Sequence, residues 1–255
     1  MTDAPTLTVL KLGGSLITHK DEPESVDEDS LARAADAVGA FRPDGRSNRL
    51  VVVHGGGSFG HHHAAEQGVS STDGIADAAG LATVHRAMGE LNDVVMNAFH
   101  ERDLAALPVR PLSVAYRDGE RLQFPAGAIE TMLAEGFVPV AYGDVVAHSG
   151  KGGTVLSGDE IVVSLARSLG ADRVGLCSTV PGVLDADGDV VSRVDSYGEV
   201  ERTLGTSDAT DVTGGMAGKV RRLLDLEATA SVFGLDDLGT FLDTGTAGTV
   251  IGGSN

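Results

Sequence analysis

Lysine is nearly missing from this sequence. Only Lys11, Lys20, Lys151 and Lys219 occur in 255 residues. Cysteine is scarcer still, with Cys177 alone. One cysteine excludes an intrachain disulfide framework and fits a reducing interior. No apolar run is long enough to span a bilayer, and no signal-peptide pattern opens the chain. A cytoplasmic location is therefore expected. Positive charge is short overall: 19 Lys and Arg stand against 37 Asp and Glu, a formal net charge of −18. Such a surface repels nucleic acid and acidic membranes, and neither is expected as a partner. It leaves room for small anions, because a local cluster of donors can override the global field.

The missing lysines say something about those that remain. Surface lysines have given way to acids and arginines, a balance that points to adaptation to concentrated salt, where screening weakens self-repulsion. Each remaining lysine lies in or beside a glycine-rich or turn-like stretch. A lysine kept in such a place has specific work, such as meeting a phosphate as a compact point charge.

The length allows one large α/β domain or two small ones. There is no Gly-, Ser- or Pro-rich linker, internal repeat or low-complexity tract. Residues 1–255 therefore read as a single domain. Strand and helix patterns alternate, with glycine turns after several strands. This predicts an α/β fold with a central, mainly parallel sheet and helices on both faces.

The organising stretch runs from Val51 to His61. Val51-Val52-Val53 reads as a buried strand, and Gly55-Gly56-Gly57-Ser58 breaks it into a helix start. Bare backbone at a helix N-terminus is a ready anion site, and His61 just beyond can add a donor. A second strand, Thr6 to Leu12, carries Lys11 at its carboxyl end and runs into Gly13-Gly14-Ser15. Open α/β sheets bind ligands at such ends. Thr18-His19-Lys20 follows within reach. A third strand, Phe137 to Ala141, ends in Tyr142-Gly143-Asp144. Asp211-Val212-Thr213-Gly214-Gly215-Met216 leads into a helix from about Ala217 to Thr229, with Lys219 in its first turn. Ser157-Gly158-Asp159 opens a helix from Glu160 to Leu169, with Ser157 as N-cap.

Elsewhere the periodicity predicts helices over Ser30–Phe41, Ala76–Arg102 and Ala126–Glu135. It predicts strands over Leu107–Val114, Arg173–Cys177, Ser231–Phe233 and Gly248–Ile251. Hairpins are expected at Asp118-Gly119, at His148–Thr154 and at Asp187-Gly188. The polar loop Gly68–Gly74 is placed to cover a site. Both halves of the chain are expected to share one continuous sheet.

Several phosphate-facing turns suggest several phosphates in line, as in phosphoryl transfer. Its catalysis is mostly positioning and charge neutralisation. A Walker A loop, Gly-x-Gly-x-x-Gly and a Gly-x-Ser-x-Gly nucleophile elbow are all absent. His61-His62-His63 invites a metal reading. Adjacent helical residues cannot all face one point, however, and no spaced Cys or His completes a zinc pattern. No protein metal ligand is expected.

Lys11-Leu12-Gly13-Gly14-Ser15, the turn Gly55–Ser58, Ser157-Gly158-Asp159 and Asp211–Met216 with Lys219 together resemble the amino acid kinase family, motif by motif and over nearly the whole chain. Within it, Gly57-Ser58-Phe59-Gly60-His61 and Thr18-His19-Lys20 look like the archaeal branch acting on isopentenyl phosphate. The resemblance implies the family's three-layer αβα sandwich, an N-terminal acceptor half and a C-terminal nucleotide half, and a homodimer. It implies ATP as co-substrate with Mg²⁺ and isopentenyl phosphate as acceptor. Lys11 and Lys219 would neutralise the ATP phosphates, with backbone contacts from Gly13, Gly14, Ser15, Gly56 and Gly215. Lys20 would stabilise the phosphoryl group in flight. His61 would hold the acceptor phosphate, with Gly55, Gly60 and Gly143 lining that site. Asp159 would orient the lysines. One stretch departs: where many relatives carry Thr-Asp-Val-Asp-Gly-Val-Tyr, this chain has Ser178-Thr179-Val180-Pro181-Gly182-Val183-Leu184. A kinase of the same fold for fosfomycin, carbamate or a carboxylate is an alternative. So is a non-catalytic nucleotide sensor, although the retention of Lys11, Lys20, His61 and Lys219 argues against it.

Overall fold

The structure, a computed structural model, describes residues 5–44, 47–199 and 215–253. Its centre is an eight-stranded sheet. Strand β1 (Thr6–Leu12) lies between β2 (Asn48–His54) and β9 (Arg173–Ser178). Beyond β2 come β6 (Val138–Tyr142) and the edge strand β3 (Ala106–Pro108). Beyond β9 come β11 (Thr229–Gly234), β12 (Thr249–Ile251) and the short edge strand β10 (Arg193–Val194). All neighbours are parallel except β11 and β12.

Alternation along the strands sorts side chains to two faces. Leu7, Val9, Val51 and Val53 face one core. There they meet Ile129 and Leu133 of α6 (Gly127–Ala134), Ile161 and Leu165 of α7 (Gly158–Leu169), and Val220 and Leu223 of α8 (Gly215–Leu224). Leu10, Leu12, Leu50 and Val52 face the other. It holds Leu31 and Val38 of α2 (Glu28–Phe41), Met88, Leu91, Val95 and Phe99 of α4 (Ala78–His100), and Phe241 of α9 (Leu238–Thr244). This is the three-layer αβα sandwich. Lys11 is in phase with Val9, so its side chain lies on the α7 face.

Both halves of the chain share the eight-stranded sheet, as expected. Beside it, β4 (Tyr116–Asp118), β5 (Arg121–Gln123), β7 (Asp144–His148) and β8 (Gly152–Leu156) form a separate four-stranded sheet in the order β5-β4-β7-β8, which the sequence reading did not anticipate. Two expectations need correcting. The strand expected over Leu107–Val114 stops at Pro108, and Pro111 starts a helical turn, α5 (Pro111–Val114). Proline lacks a ladder donor but suits the first position of a helix. The helix expected to reach Thr229 ends at Leu224, because β11 takes Thr229.

The second sheet braces α7. Ser157 and Glu160 form a capping box at its start. The other Glu160 oxygen, Oε1, accepts a 2.8 Å hydrogen bond from Arg117 of β4. Arg117 is buried, so this ion pair fixes the helix end against the small sheet. Among the described residues, no helix is long and apolar enough to cross a membrane.

Candidate active site

The carboxyl ends of β9, β1, β2 and β6 lie in one row: Cys177 pairs with Leu12, Leu12 with His54, and His54 with Tyr142. The glycines that follow β1, β2 and β6 extend the ladder by one rung. Gly13 N–H donates to the Cys177 carbonyl (2.9 Å), Gly55 N–H to Leu12 (2.9 Å) and Gly143 N–H to His54 (3.0 Å). These donors are consumed by the sheet edge. The next residues differ. Among the described residues, no backbone carbonyl engages the N–H groups of Gly14, Ser15, Gly56 and Gly57.

The two turns nest backbone against backbone. A Cβ on Gly14 would lie 2.2 Å from Gly57 N, and one on Gly55 would lie 2.5 Å from Gly14 N. Gly57 also has φ of 49°, which favours glycine. Thr18 locks the pair. Its Oγ1 donates to the Gly14 carbonyl at 2.9 Å and accepts from Ser58 N–H at 3.0 Å. The start of α3 (Gly57–Gln67) is thereby fixed to the first turn, α1 (Gly14–Ile17).

Lys11 is 9% exposed, and its Nζ donates to Asp159 Oδ1 at 2.7 Å. Asp159 sits at the start of α7, whose Gly158 would place a Cβ 3.3 Å from Lys11 Cε. Burial by itself would raise the Asp159 carboxyl. Lys11, with Lys219 and Arg222 nearby, outweighs it and holds Asp159 below the ordinary value. Lys219 and Arg222 line one crevice with Asp159. Asp159 thus lies beside Lys11, Lys219 and Arg222, and it is a poor proton acceptor. Gly215 opens α8 with φ of 56°, and among the described residues no atom lies within 4 Å of a Cβ placed there. Asp211, Val212, Thr213 and Gly214 lie outside the described residues.

The acceptor-side residues sit differently. Lys20 is exposed on a loop closed by a bridge between Thr18 and Val26. That loop docks on α3: Ser25 N–H donates to Ser58 Oγ, which donates back to the Ser25 carbonyl, both at 3.3 Å. His61 is exposed on α3, one turn past the glycines. Gly60 instead backs α3 onto α4, since a Cβ there would lie 2.7 Å from Met88 Sδ. Lys151 lies apart from these turns: its Nζ donates to the Thr72 carbonyl at 2.8 Å. It holds the 70–74 loop on the β7–β8 hairpin.

Two histidines near the row escaped the sequence reading. His54 is fully buried, stacked on Tyr142 with ring centroids 5.4 Å apart and 3.3 Å from Asn92 Oδ1. Burial pulls its pKa down to about 4, against smaller opposing effects of Gly55 and Asn92, so it is neutral. His85 of α4 donates from Nδ1 to buried Asp144 at 2.8 Å, and this bond raises its pKa. Asp144 also accepts from Leu112 N–H and Val145 N–H. No local pattern signals a partnership spanning 59 residues.

Residues 6–230 match the amino acid kinase family. The chain belongs to the amino acid kinase family. It is 61% identical to isopentenyl phosphate kinase of Haloferax volcanii, over 97% of this chain and 99% of that one. It is 35% identical to isopentenyl phosphate kinase of Methanocaldococcus jannaschii, over 84% and 85%. A solved structure of an isopentenyl phosphate kinase superposes with a TM-score of 0.79, at 29% identity, over 96% of this chain and all of that one. The fold expected from the motifs is thus the fold found.

Proposed function

We propose that this amino acid kinase transfers the γ-phosphoryl group of ATP to isopentenyl phosphate, giving isopentenyl diphosphate for isoprenoid biosynthesis. One observation supports phosphoryl transfer: among the described residues, four N–H groups of the nested glycine turns, at Gly14, Ser15, Gly56 and Gly57, meet no backbone carbonyl. Strand β1, which runs into the first turn, carries the buried Lys11–Asp159 pair, and Thr18, which locks the turns, opens the Lys20 loop. Unspent donors at helix starts, flanked by cations, suit a row of phosphates. The acceptor is inferred from the names of the relatives.

The chemistry of the site agrees with a phosphate acceptor. A phosphate monoester has its second pKa near 6 and is largely a dianion at neutral pH. It brings its own nucleophilic oxygen and needs no strong base. Asp159, held low by its cations, would be a poor one. Repulsion between acceptor and γ-phosphate is the difficulty, and Lys20 and His61 are the groups we assign to offset it. Lys11 and Lys219 take the ATP phosphates, with backbone donation from Gly14, Ser15 and Gly56. Gly13, Gly55 and Gly143 shape that edge through bare Cα rather than through their spent N–H groups, and Gly215 is assigned a backbone contact at the start of α8. Mg²⁺ would accompany ATP and supply positive charge against its phosphates. Asp159, the carboxylate beside Lys11, is already paired, which fits an ion held mainly by phosphate oxygens and water.

The reading extends to a single domain with acceptor and nucleotide halves, to a cytoplasmic homodimer and to working salt that is high. The test is ADP release with Mg·ATP and isopentenyl phosphate, beside fosfomycin, carbamate and small carboxylic acids. Turnover of isopentenyl phosphate above the others is expected. Robust turnover of a carboxylic acid with none of isopentenyl phosphate would sink the assignment.

A further inference from the structure

His62 and His63 follow His61 on α3, and phosphoryl transfer gives them no task. Both turn toward Glu66. His62 Nε2 lies 3.4 Å from Glu66 Oε1, and His63 Nδ1 lies 3.3 Å from Glu66 Oε2. One donor atom from each of the three residues falls within 4.8 Å of the others. Among the described residues, no other group of His, Cys, Asp or Glu meets this condition. Spaced cysteine or histidine does not complete the histidine run, but a carboxylate does. Neighbours at i+3 and i+4 share a helix face, and Glu66 stands at both spacings.

The distances fit a coordinated ion better than a hydrogen-bonded cluster. Ligands 2.0–2.1 Å from a tetrahedral ion stand about 3.3 Å apart. As hydrogen bonds, both contacts would be long. His63 Nδ1 is shielded from solvent and makes no hydrogen bond. The other nitrogen of the same ring, Nε2, donates to Glu24 Oε1 at 2.7 Å. That bond places the proton on Nε2 and leaves the Nδ1 lone pair facing the cluster. A ligating imidazole whose second N–H is held by a carboxylate is a recurrent outer arrangement of metal sites.

We propose that His62, His63 and Glu66 bind one divalent transition-metal ion, with Glu24 as the outer carboxylate. Two imidazoles and one carboxylate suit Zn²⁺, Co²⁺ or Ni²⁺, whereas Mg²⁺ and Ca²⁺ take oxygen ligands. Three protein ligands leave positions for water. Glu24 belongs to the loop that carries Lys20, so an ion here ties α3 to that loop.

Tag-free protein, stripped with chelator and without nucleotide, is titrated with Co²⁺ by calorimetry and visible absorption. The expected result is one Co²⁺ per chain, displaced by Zn²⁺ but not by excess Mg²⁺. Glu66→Gln and His62→Ala should abolish stoichiometric binding. Glu24→Gln should weaken it roughly ten- to a hundred-fold, the usual effect of losing an outer partner. Co²⁺ should raise the melting temperature of the wild type and leave that of Glu66→Gln unchanged. Glu66 is exposed, so this variant is expected to fold. Absence of stoichiometric Co²⁺ binding in the wild type, or undiminished binding in folded Glu66→Gln, would overturn the proposal. The cluster would then be an ion-pair staple and nothing more.

Discussion

Lys11 and Lys20 lie nine positions apart, and both are assigned to phosphate, yet they are held in opposite ways. Lys11 is on a central strand, 9% exposed, and bonded to a carboxylate buried at a helix start. Lys20 is exposed on a loop that reaches α3 through Ser25–Ser58 and Glu24–His63 contacts. Removing one partner of a buried pair leaves an uncompensated charge in low dielectric. Removing an exposed lysine leaves water in its place. The end we assign to the nucleotide is therefore part of the core, while the end we assign to the acceptor is latched onto it. The two ends should fail differently under mutation.

The exposed end should fail in activity alone. Lys20→Met is expected to lower kcat about 10²- to 10³-fold, the usual scale for one group aimed at developing charge. Its melting temperature should match the wild type. A kcat within a factor of about three of wild type would remove Lys20 from the reaction.

A buried histidine sets the acid limit of the core end. In the fold His54 resists protonation down to about pH 4, whereas its ordinary pKa is 6.5. Between these values the unfolded chain binds the extra proton. Its contribution is complete above pH 6.5 and is lost as pH falls toward 4. The loss is about 3 kcal/mol. Urea midpoints measured from pH 7 to 4 should show it, and His54→Gln should flatten that limb. His85 runs the other way: its pKa is raised by Asp144, so its contribution is present below 6.5 and fades as pH climbs past the folded value.

Much of this was written in local signals. The Val-Val-Val run, the glycine clusters and Ser157 with Glu160 three residues on each name a strand end, a turn or a cap by short-range chemistry. Lys11 and Asp159 were found because each sits beside such a signal. Features that depend on distant partners were not legible. The four-stranded sheet pairs β4 with β7 across β5, α6 and β6, and no periodicity marks that pairing. Nor does any spacing announce that Asp144 meets His85. The glycines were legible as turns at strand ends but not as two classes. Which N–H is spent and which is left depends on the register of β9, β1, β2 and β6.

His61→Ala sharpens the contrast within the acceptor end. One charge-assisted bond to the acceptor phosphate is worth about 1.5–3 kcal/mol. The expected cost is roughly ten- to a hundred-fold in kcat/KM for the acceptor, with ATP use little changed. Equal loss toward both substrates would point to a packing role. Thr18→Val targets the lock between the ends. Ser58 N–H loses its acceptor, at a cost of about 1–2 kcal/mol in stability. A melt indistinguishable from wild type would show that the two turns nest without it.

The division between the ends is tested most directly by urea unfolding of Lys11→Met and Lys20→Met side by side. Lys11→Met, which strands buried Asp159, should lose about 3–5 kcal/mol, toward the lower figure because Lys219 and Arg222 remain nearby. Lys20→Met should stay within about 0.5 kcal/mol of wild type. Equal losses in the two variants, or a Lys11→Met protein as stable as wild type, would contradict the division.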